Sequence, residues 1–176
     1  KDGKKAIFHK DGKQISQWFD DIEPDGLVCG ESNLYAAEKD GKQAIFDVNG
    51  NMITPEWFDE VSPAGLVKGQ SKYYKAKKDG KWAIFDVDGN RITDWFDGIS
   101  IDGLIEGQSN MYIASKGNKS AIFDVDGNMI TKEWYFYVSP EGLVKGQSKY
   151  FIVMEDWKYA IFDKDGDQVT EWYDRI

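Results

Sequence analysis

Four Asp-x-Asp/Asn-Gly runs are the residues of this chain best suited to holding an ion: Asp47/Asn49/Gly50, Asp86/Asp88/Gly89, Asp124/Asp126/Gly127 and Asp163/Asp165/Gly166. Residues two apart on a strand project to one face, so each run offers paired oxygens to a weakly held cation. An EF-hand register is excluded, because its glycine stands sixth and a bidentate Glu twelfth, while here the Gly is fourth. Asp-Gly is also accounted for by turn chemistry alone. A second set of acids follows a Trp-aromatic pair, at Asp20, Asp59, Asp97 and Asp174. Paired carboxylates can hydrolyse glycosides, but such a site needs one asymmetric pair with split acidities rather than near-equivalent copies. Phe136 also interrupts the row. Gly-Gln/Glu-Ser recurs at Gly30, Gly69, Gly107 and Gly146, without the second Gly of a nucleophile elbow, and the lone His9 cannot partner four serines. Cys29 stands where Lys68, Glu106 and Lys145 stand in other copies, which marks a variable position rather than a nucleophile. These residues predict no catalytic group, no metal site and no cofactor, and the chain reads as a non-enzyme.

Every one of these motifs is repeated, and the repeat positions them all. Ala-Ile-Phe occurs at Ala6, Ala44, Ala83, Ala121 and Ala160, at spacings of 38, 39, 38 and 39 residues. A Trp-aromatic pair follows each time, at Trp18, Trp57, Trp95, Trp134 and Trp172, and Gly-Leu-Val/Ile follows at Gly26, Gly65, Gly103 and Gly142. A period of this size is the signature of a solenoid, propeller or array. It predicts one repeat domain over 1–176 in five copies, 1–33, 34–71, 72–109, 110–148 and 149–176, with incomplete terminal copies.

The third copy predicts strands near Tyr73–Lys77, Trp82–Val87, Arg91–Phe96 and Leu104–Glu106, with a loop through Ser100–Asp102 and a stop at Gly107. Asp79-Gly80 and Asp88-Gly89 supply the tight hairpin turns between them. The second strand is apolar on both faces, which requires a sheet sandwiched between others. The expected fold class is all-β: about four short antiparallel strands per copy, some 18 in the chain, in an open β-solenoid-like array, with a five-bladed β-propeller as the alternative. Ile45, Phe46, Trp57, Leu66, Ile84, Phe85, Trp95, Leu104, Ile122, Phe123, Trp134 and Leu143 form the expected core, with the repeat Trp residues as its anchors.

The alternating period has one source. Copies two and four carry an extra residue before the Trp, Pro55 in one and Lys132 in the other. One inserted residue would flip all later side chains of a strand, so a β-bulge is expected there. The even copies also match each other best: Asn51–Tyr74 and Asn128–Phe151 share 18 of 24 residues, against about 13 shared with Asn90–Tyr112. Duplication of a two-copy, 77-residue unit accounts for this. Odd and even copies are then expected in different environments, which a closed ring of five cannot provide without a mismatch.

Composition bounds the partners. Apolar residues make up 41% of the chain, which excludes a disordered tail. A net charge of −9 is a poor match to a phosphate backbone, so nucleic acid is not an expected partner. No apolar run approaches the ~20 residues of a membrane helix, so membrane insertion is not expected either. The chain opens at Lys1, inside a repeat, and reads as a processed form or an excised segment. The single Cys29 forms no internal disulfide.

The stretch Asp79-Gly-Lys-Trp-Ala-Ile-Phe-Asp-Val-Asp-Gly-Asn-Arg-Ile-Thr, with Trp95-Phe-Asp and Gly103-Leu-Ile after it, resembles the bacterial WG-repeat family. The resemblance runs through all five copies. The defining Trp-Gly is replaced: Ala stands for the Gly throughout, and only Trp82 keeps the Trp, with Lys5, Gln43, Ser120 and Tyr159 elsewhere. It implies a β-repeat module and carries over no catalytic or ligand residue. Aromatic residues that break the pattern, Trp82, Trp157 and Tyr137, are the candidate ligand contacts. The expected function is a non-catalytic β-repeat scaffold for protein or surface interaction; the alternative is a multivalent carbohydrate-binding, lectin-like module. The unfilled terminal copies add an expectation of end-to-end self-association.

Overall fold

The hairpin turns organise each sheet, and the computed structural model describes them within residues 2–105 and 108–175. In the first sheet β1 (Asp21–Glu23) leads through a one-turn helix, α1 (Asp25–Val28), into β2 (Leu34–Lys39) and β3 (Lys42–Asp47). Asp40 and Gly41 join β2 to β3 with φ of 53° and 72°, the left-handed pair that a two-residue type I′ hairpin requires. The second sheet repeats this order as β4 (Glu60–Ser62), α2 (Ala64–Val67), β5 (Tyr73–Lys78) and β6 (Lys81–Asp86). The third has β7 (Gly98–Ser100), α3 (Asp102–Ile105), β8 (Met111–Lys116) and β9 (Lys119–Asp124). The fourth has β10 (Tyr137–Ser139), α4 (Glu141–Val144), β11 (Tyr150–Glu155) and β12 (Lys158–Asp163). Each sheet is an antiparallel meander of three strands, and the fold is all-β. The chain divides into two compact units, Lys1–Arg91 with the first two sheets and Ile92–Ile176 with the last two.

Three strand expectations change. The segment expected as a strand over Leu104–Glu106 is helical at Asp102–Ile105; Glu106 and Gly107 lie outside the described residues. The reason shows in the equivalent turns. Pro24, Pro63 and Pro140 open the helical turn, and Gly30, Gly69 and Gly146 close it with φ of 71°, 67° and 67°. Glu31 N–H reaches Gly26 O and Gly30 N–H reaches Leu27 O, the paired bonds that stop a helix at a left-handed glycine. The remaining strand of each sheet is instead the short run just after the Trp-aromatic pair, as at Gly98–Ser100, where no strand is expected and the expected loop begins at Ser100. The expected strand over Arg91–Phe96 is not continuous. In the first sheet its equivalent touches β3 only at the bridges Phe46↔Met52 and Gln43↔Phe58. The described residues therefore hold 12 strands plus isolated bridges, not 18. Pro55 and Lys132 sit in this unpaired stretch, Lys132 with φ of 60°, so the insertion is absorbed by a loop between two bridges rather than by a bulge.

Within each unit the core is a stack of aromatic layers. Tyr35 stacks on Phe46 at 5.7 Å and 16°, and Phe19 from the preceding copy closes on Phe46 at 5.2 Å. Tyr74–Phe85, Tyr112–Phe123 and Phe151–Phe162 repeat the stack. Ala-Ile-Phe is buried on both faces in β3, β6 and β9, as the sequence requires. Leu66, Leu104 and Leu143 are buried as well. The repeat Trp residues are not the anchors expected of them: Trp57, Trp95 and Trp134 are half-buried. In three copies the following aromatic takes the buried place, Phe19 and Phe58 at 0% and Tyr135 at 8% exposure, while Phe96 is half-buried and Tyr173 exposed; Trp57 packs on Phe46 at the edge of its layer.

Candidate functional site

The recurring acids are engaged in building their own copies. Asp47 accepts the backbone N–H groups of Asn49 and Asn51 on Oδ1, and the Asn51 side-chain amide on Oδ2 at 2.9 Å. Asp86, Asp124 and Asp163 each accept the same pair of N–H groups from their turns. The Trp-aromatic-Asp carboxylates clamp the hairpin of the sheet that follows. Asp20 accepts the N–H of Asp40 at 2.8 Å, Asp59 that of Asp79 at 2.8 Å, and Asp97 that of Gly117 at 2.7 Å. The Asp40 N–H, helped by the Lys4 ammonium, holds the Asp20 carboxyl below the usual range. The serines of Gly-Gln/Glu-Ser are start points for strands: Ser32, Ser71, Ser109 and Ser148 accept the N–H of Leu34, Tyr73, Met111 and Tyr150. Gly30, Gly69 and Gly146 are the helix stops described above. His9 pairs with Asp11 on an exposed turn, and Cys29 is exposed.

One sheet breaks the pattern. In the fourth, Phe136 replaces the clamping acid, and the hairpin turn is Asp156-Trp157 where the first two sheets have Asp40-Gly41 and Asp79-Gly80. Trp157 adopts the glycine conformation regardless, with φ of 64°, and is 79% exposed. Phe136 and Trp157 meet with ring centroids 6.0 Å apart. Tyr137, next in sequence, begins β10 and is also exposed. Glu155 braces the group from below. Its Oε2 accepts the Phe136 N–H at 2.7 Å and its Oε1 meets Lys119 Nζ at 2.5 Å. Lys119 first, then the Phe136 N–H, holds the Glu155 carboxyl below its ordinary value. The arrangement is an exposed aromatic cluster at a hairpin tip, beside the Lys119–Glu155 ion pair.

Two of the three sequence candidates, Trp157 and Tyr137, thus flank Phe136 on the fourth sheet. Trp82 belongs to the other unit and is half-buried on β6, with Lys75 Nζ at 4.8 Å and Lys77 Nζ at 5.5 Å over its ring. Phe136 is the exposed aromatic that the sequence did not single out as a candidate. Its signal was its break in an otherwise acidic row, paired with the loss of Gly at Trp157. Among the described residues no helix is long and apolar enough to cross a membrane.

No family model and no curated protein matches the chain. Among solved structures it is similar to Kluyveromyces lactis Hsv2 with complete loop 6CD, at 14% identity and a TM-score of 0.42, over 79% of this chain and 47% of that one. It is similar to the same protein with loop 6CD replaced by a Gly-Ser linker, at 12% identity and a TM-score of 0.41, over 92% of this chain and 57% of that one. A eukaryotic initiation factor matches at 12% identity and a TM-score of 0.42, over 86% of this chain and 42% of that one. The chain thus spans about half the length of these structures, and likenesses of this size assign it neither fold nor function.

Proposed function

We propose that the chain is a non-catalytic β-repeat scaffold whose fourth sheet presents an aromatic contact surface to a protein partner. Trp157 carries this reading. A left-handed conformation costs a non-glycine residue about 1–2 kcal/mol, and the first two hairpins avoid that cost with Gly41 and Gly80. An exposed Trp held in a strained turn does not serve the fold, so its use lies in contact with something else. Trp and Tyr are the residues that dominate the energetics of protein interfaces. The acids and serines that would suggest catalysis are engaged as turn and strand braces, which favours the non-enzymatic reading.

A photo-crosslinking residue in place of Tyr137, in the full chain and in its own cells, tests this. One protein should be captured, bind the purified chain, and be lost from both assays in a Trp157→Gly variant. Capture unaffected by that substitution would refute the proposal. A carbohydrate-binding reading rests on the same exposed ring. In its multivalent form it needs equivalents in the other sheets, where the position holds Gly41, Gly80 and Asn118. A glycan array with sugar hits that vanish in Trp157→Gly would favour it instead.

The WG-repeat kinship, the open array and end-to-end association belong to the same proposal. The unequal spacing of odd and even copies supports an open array over a five-bladed ring, and small-angle scattering separates an elongated particle from a disc. The acidic balance supports a partner other than nucleic acid.

A further inference from the structure

We infer that the groove between the first sheet and α2 is a pocket for a cationic side chain, an arginine or lysine presented by a protein partner. A cavity of about 140 Å³ opens there. Ala36, Pro63 and Val67 form an apolar wall, and Glu23, Asp25 and Lys68 stand at its rim. Both walls come from consecutive copies within the unit Lys1–Arg91. The helical turns α1 and α2 abut beside it because Gly26 has no side chain: a Cβ there would lie 2.4 Å from Val67 Cγ1. A cavity of about 150 Å³ takes a benzene ring elsewhere, so this space is enough for the aliphatic stem of a long side chain.

The other copies show how the rim is normally balanced. At the position of Asp25 the third copy has Asp102, which accepts a hydrogen bond from Ser100 Oγ at 3.1 Å. The fourth has Glu141, paired with Lys145 at 2.9 Å. In the first copy both balancing neighbours are exchanged: Glu23 stands where the serine stands, and Cys29 where the lysine stands. Glu23 and Asp25 are exposed, and their carboxylates engage no hydrogen bond or ion pair among the described residues. Neighbouring acids are taken, with Asp20, Asp21, Glu56 and Asp59 held by Lys4, Lys5, Lys78 and Lys42. In the second copy the acid itself is gone. Ala64 replaces it, adds to the apolar wall and leaves Lys68 without the partner that Lys145 has four residues before it.

Two departures from the repeat thus meet at one cavity, and carboxylates outnumber the ammonium there. An exposed ion pair alone contributes little. A long basic side chain adds burial of its stem along an apolar wall while its head stays at the wet rim. A guanidinium also has donors enough for two carboxylates at once. The net charge of −9 steers a basic partner toward the chain. This groove lies in the first unit and the Trp157 cluster in the second, so either surface can fail without the other.

The test titrates the isotope-labelled full chain with the blocked peptide acetyl-Ala-Arg-Ala-amide, followed by nuclear magnetic resonance. The amides of Asp25, Ala36 and Val67 should shift saturably, with a Kd on the order of 1 mM. Binding should weaken at least about threefold between about 50 and about 300 mM salt. The citrulline counterpart, of the same shape without the charge, should not saturate. Glu23→Ser and Cys29→Lys install the residues that other copies carry, so both should keep the fold by circular dichroism and bind at least about fivefold more weakly. The inference is overturned by no saturable shift at about 20 mM peptide, by equal binding of the citrulline peptide, by shifts confined to other residues, or by parent-like binding in either variant. Binding of free arginine without binding of the peptide also overturns it, because the groove would then serve a small molecule rather than a partner's side chain.

Discussion

Replacing the threonine of Ile-Thr should have opposite effects in even and odd copies. Thr54 and Thr131, in the even copies, are 1% and 0% exposed, and their hydroxyls have no hydrogen-bond partner. In the odd copies the same position is employed. Ser16 Oγ accepts the Ile7 N–H at 2.8 Å and donates to Gln17 O at 2.9 Å, and Thr170 Oγ1 accepts the Ile161 N–H at 3.0 Å. A buried, unpaired hydroxyl costs about 1–3 kcal/mol, and a lost hydrogen bond that strands its partner costs a similar amount. Thr54→Val should therefore raise stability by about 1 kcal/mol, and Thr170→Val should lower it by about 1 kcal/mol. Urea titration reads both as shifts of midpoint at constant slope. The double substitution should return near the starting value, since the sites lie in different copies and share no partner. If both single variants move the midpoint in the same direction, the hydrogen-bond assignment of odd and even copies is wrong.

Gly127 and Gly166 both have positive φ, 87° and 77°, but a Cβ at Gly127 meets open space while one at Gly166 overlaps the Ile130 carbonyl oxygen. Gly127→Ala should cost only the conformational term of about 1–2 kcal/mol, and Gly166→Ala about 1–3 kcal/mol more for the forced shift, read by the same titration. Trp157→Gly should raise stability by about 0.5–1 kcal/mol, the strain relieved less the lost Phe136 contact, even as it removes partner capture; a fall in thermal midpoint would contradict the strain. Burial, with Asp47 nearby, pushes the Tyr35 hydroxyl up to about 12, and burial does the same at Tyr112. An unfolded Tyr ionises near pH ~10, so this stability is complete below pH ~10 and is lost as pH rises toward 12. Tyr35→Phe/Tyr112→Phe should move alkaline unfolding, followed by circular dichroism, to higher pH.

The turns and the doubly apolar strand were legible because each needs a particular residue. Asp-Gly fixes the β2–β3 and β5–β6 hairpins, and Ala-Ile-Phe in β3, β6 and β9 is buried on both faces. The helical turn was misread because Gly-Leu-Val is short and apolar, and a window of four residues shows no period. Its punctuation was nonetheless present, with Pro24 at the start and Gly30 six residues later, the asymmetry that marks a helix rather than a strand. The Trp residues were over-weighted by size. A Trp and the aromatic beside it compete for one interior place, and only packing decides that Phe58 enters while Trp57 covers it. The exposed aromatic cluster was half legible. Trp157 and Tyr137 stand out as departures from the repeat, but pairing Phe136 with Trp157 required the register that brings the start of β10 to the tip of the next hairpin.

The alternation in spacing has a physical counterpart in how successive copies touch. In the even copies the inserted residue displaces the Ile-Thr segment toward the next turn. The Ile53 carbonyl lies 2.8 Å from a Cβ built on Gly89, with the Pro55 ring at 3.5 Å. The Ile130 carbonyl crowds Gly166, and Lys132 Nζ continues to Asp167 at 2.5 Å. After odd copies the equivalent turns are loose: Gly50 has only the Ile15 oxygen at 3.8 Å, and Gly127 has nothing within 4 Å. An insertion that could have broken the register is thus used as a clasp, made once in Lys1–Arg91 and once in Ile92–Ile176. The residue that lengthens the even copies is also one that reaches the following turn, Pro55 at Gly89 and Lys132 at Gly166 and Asp167.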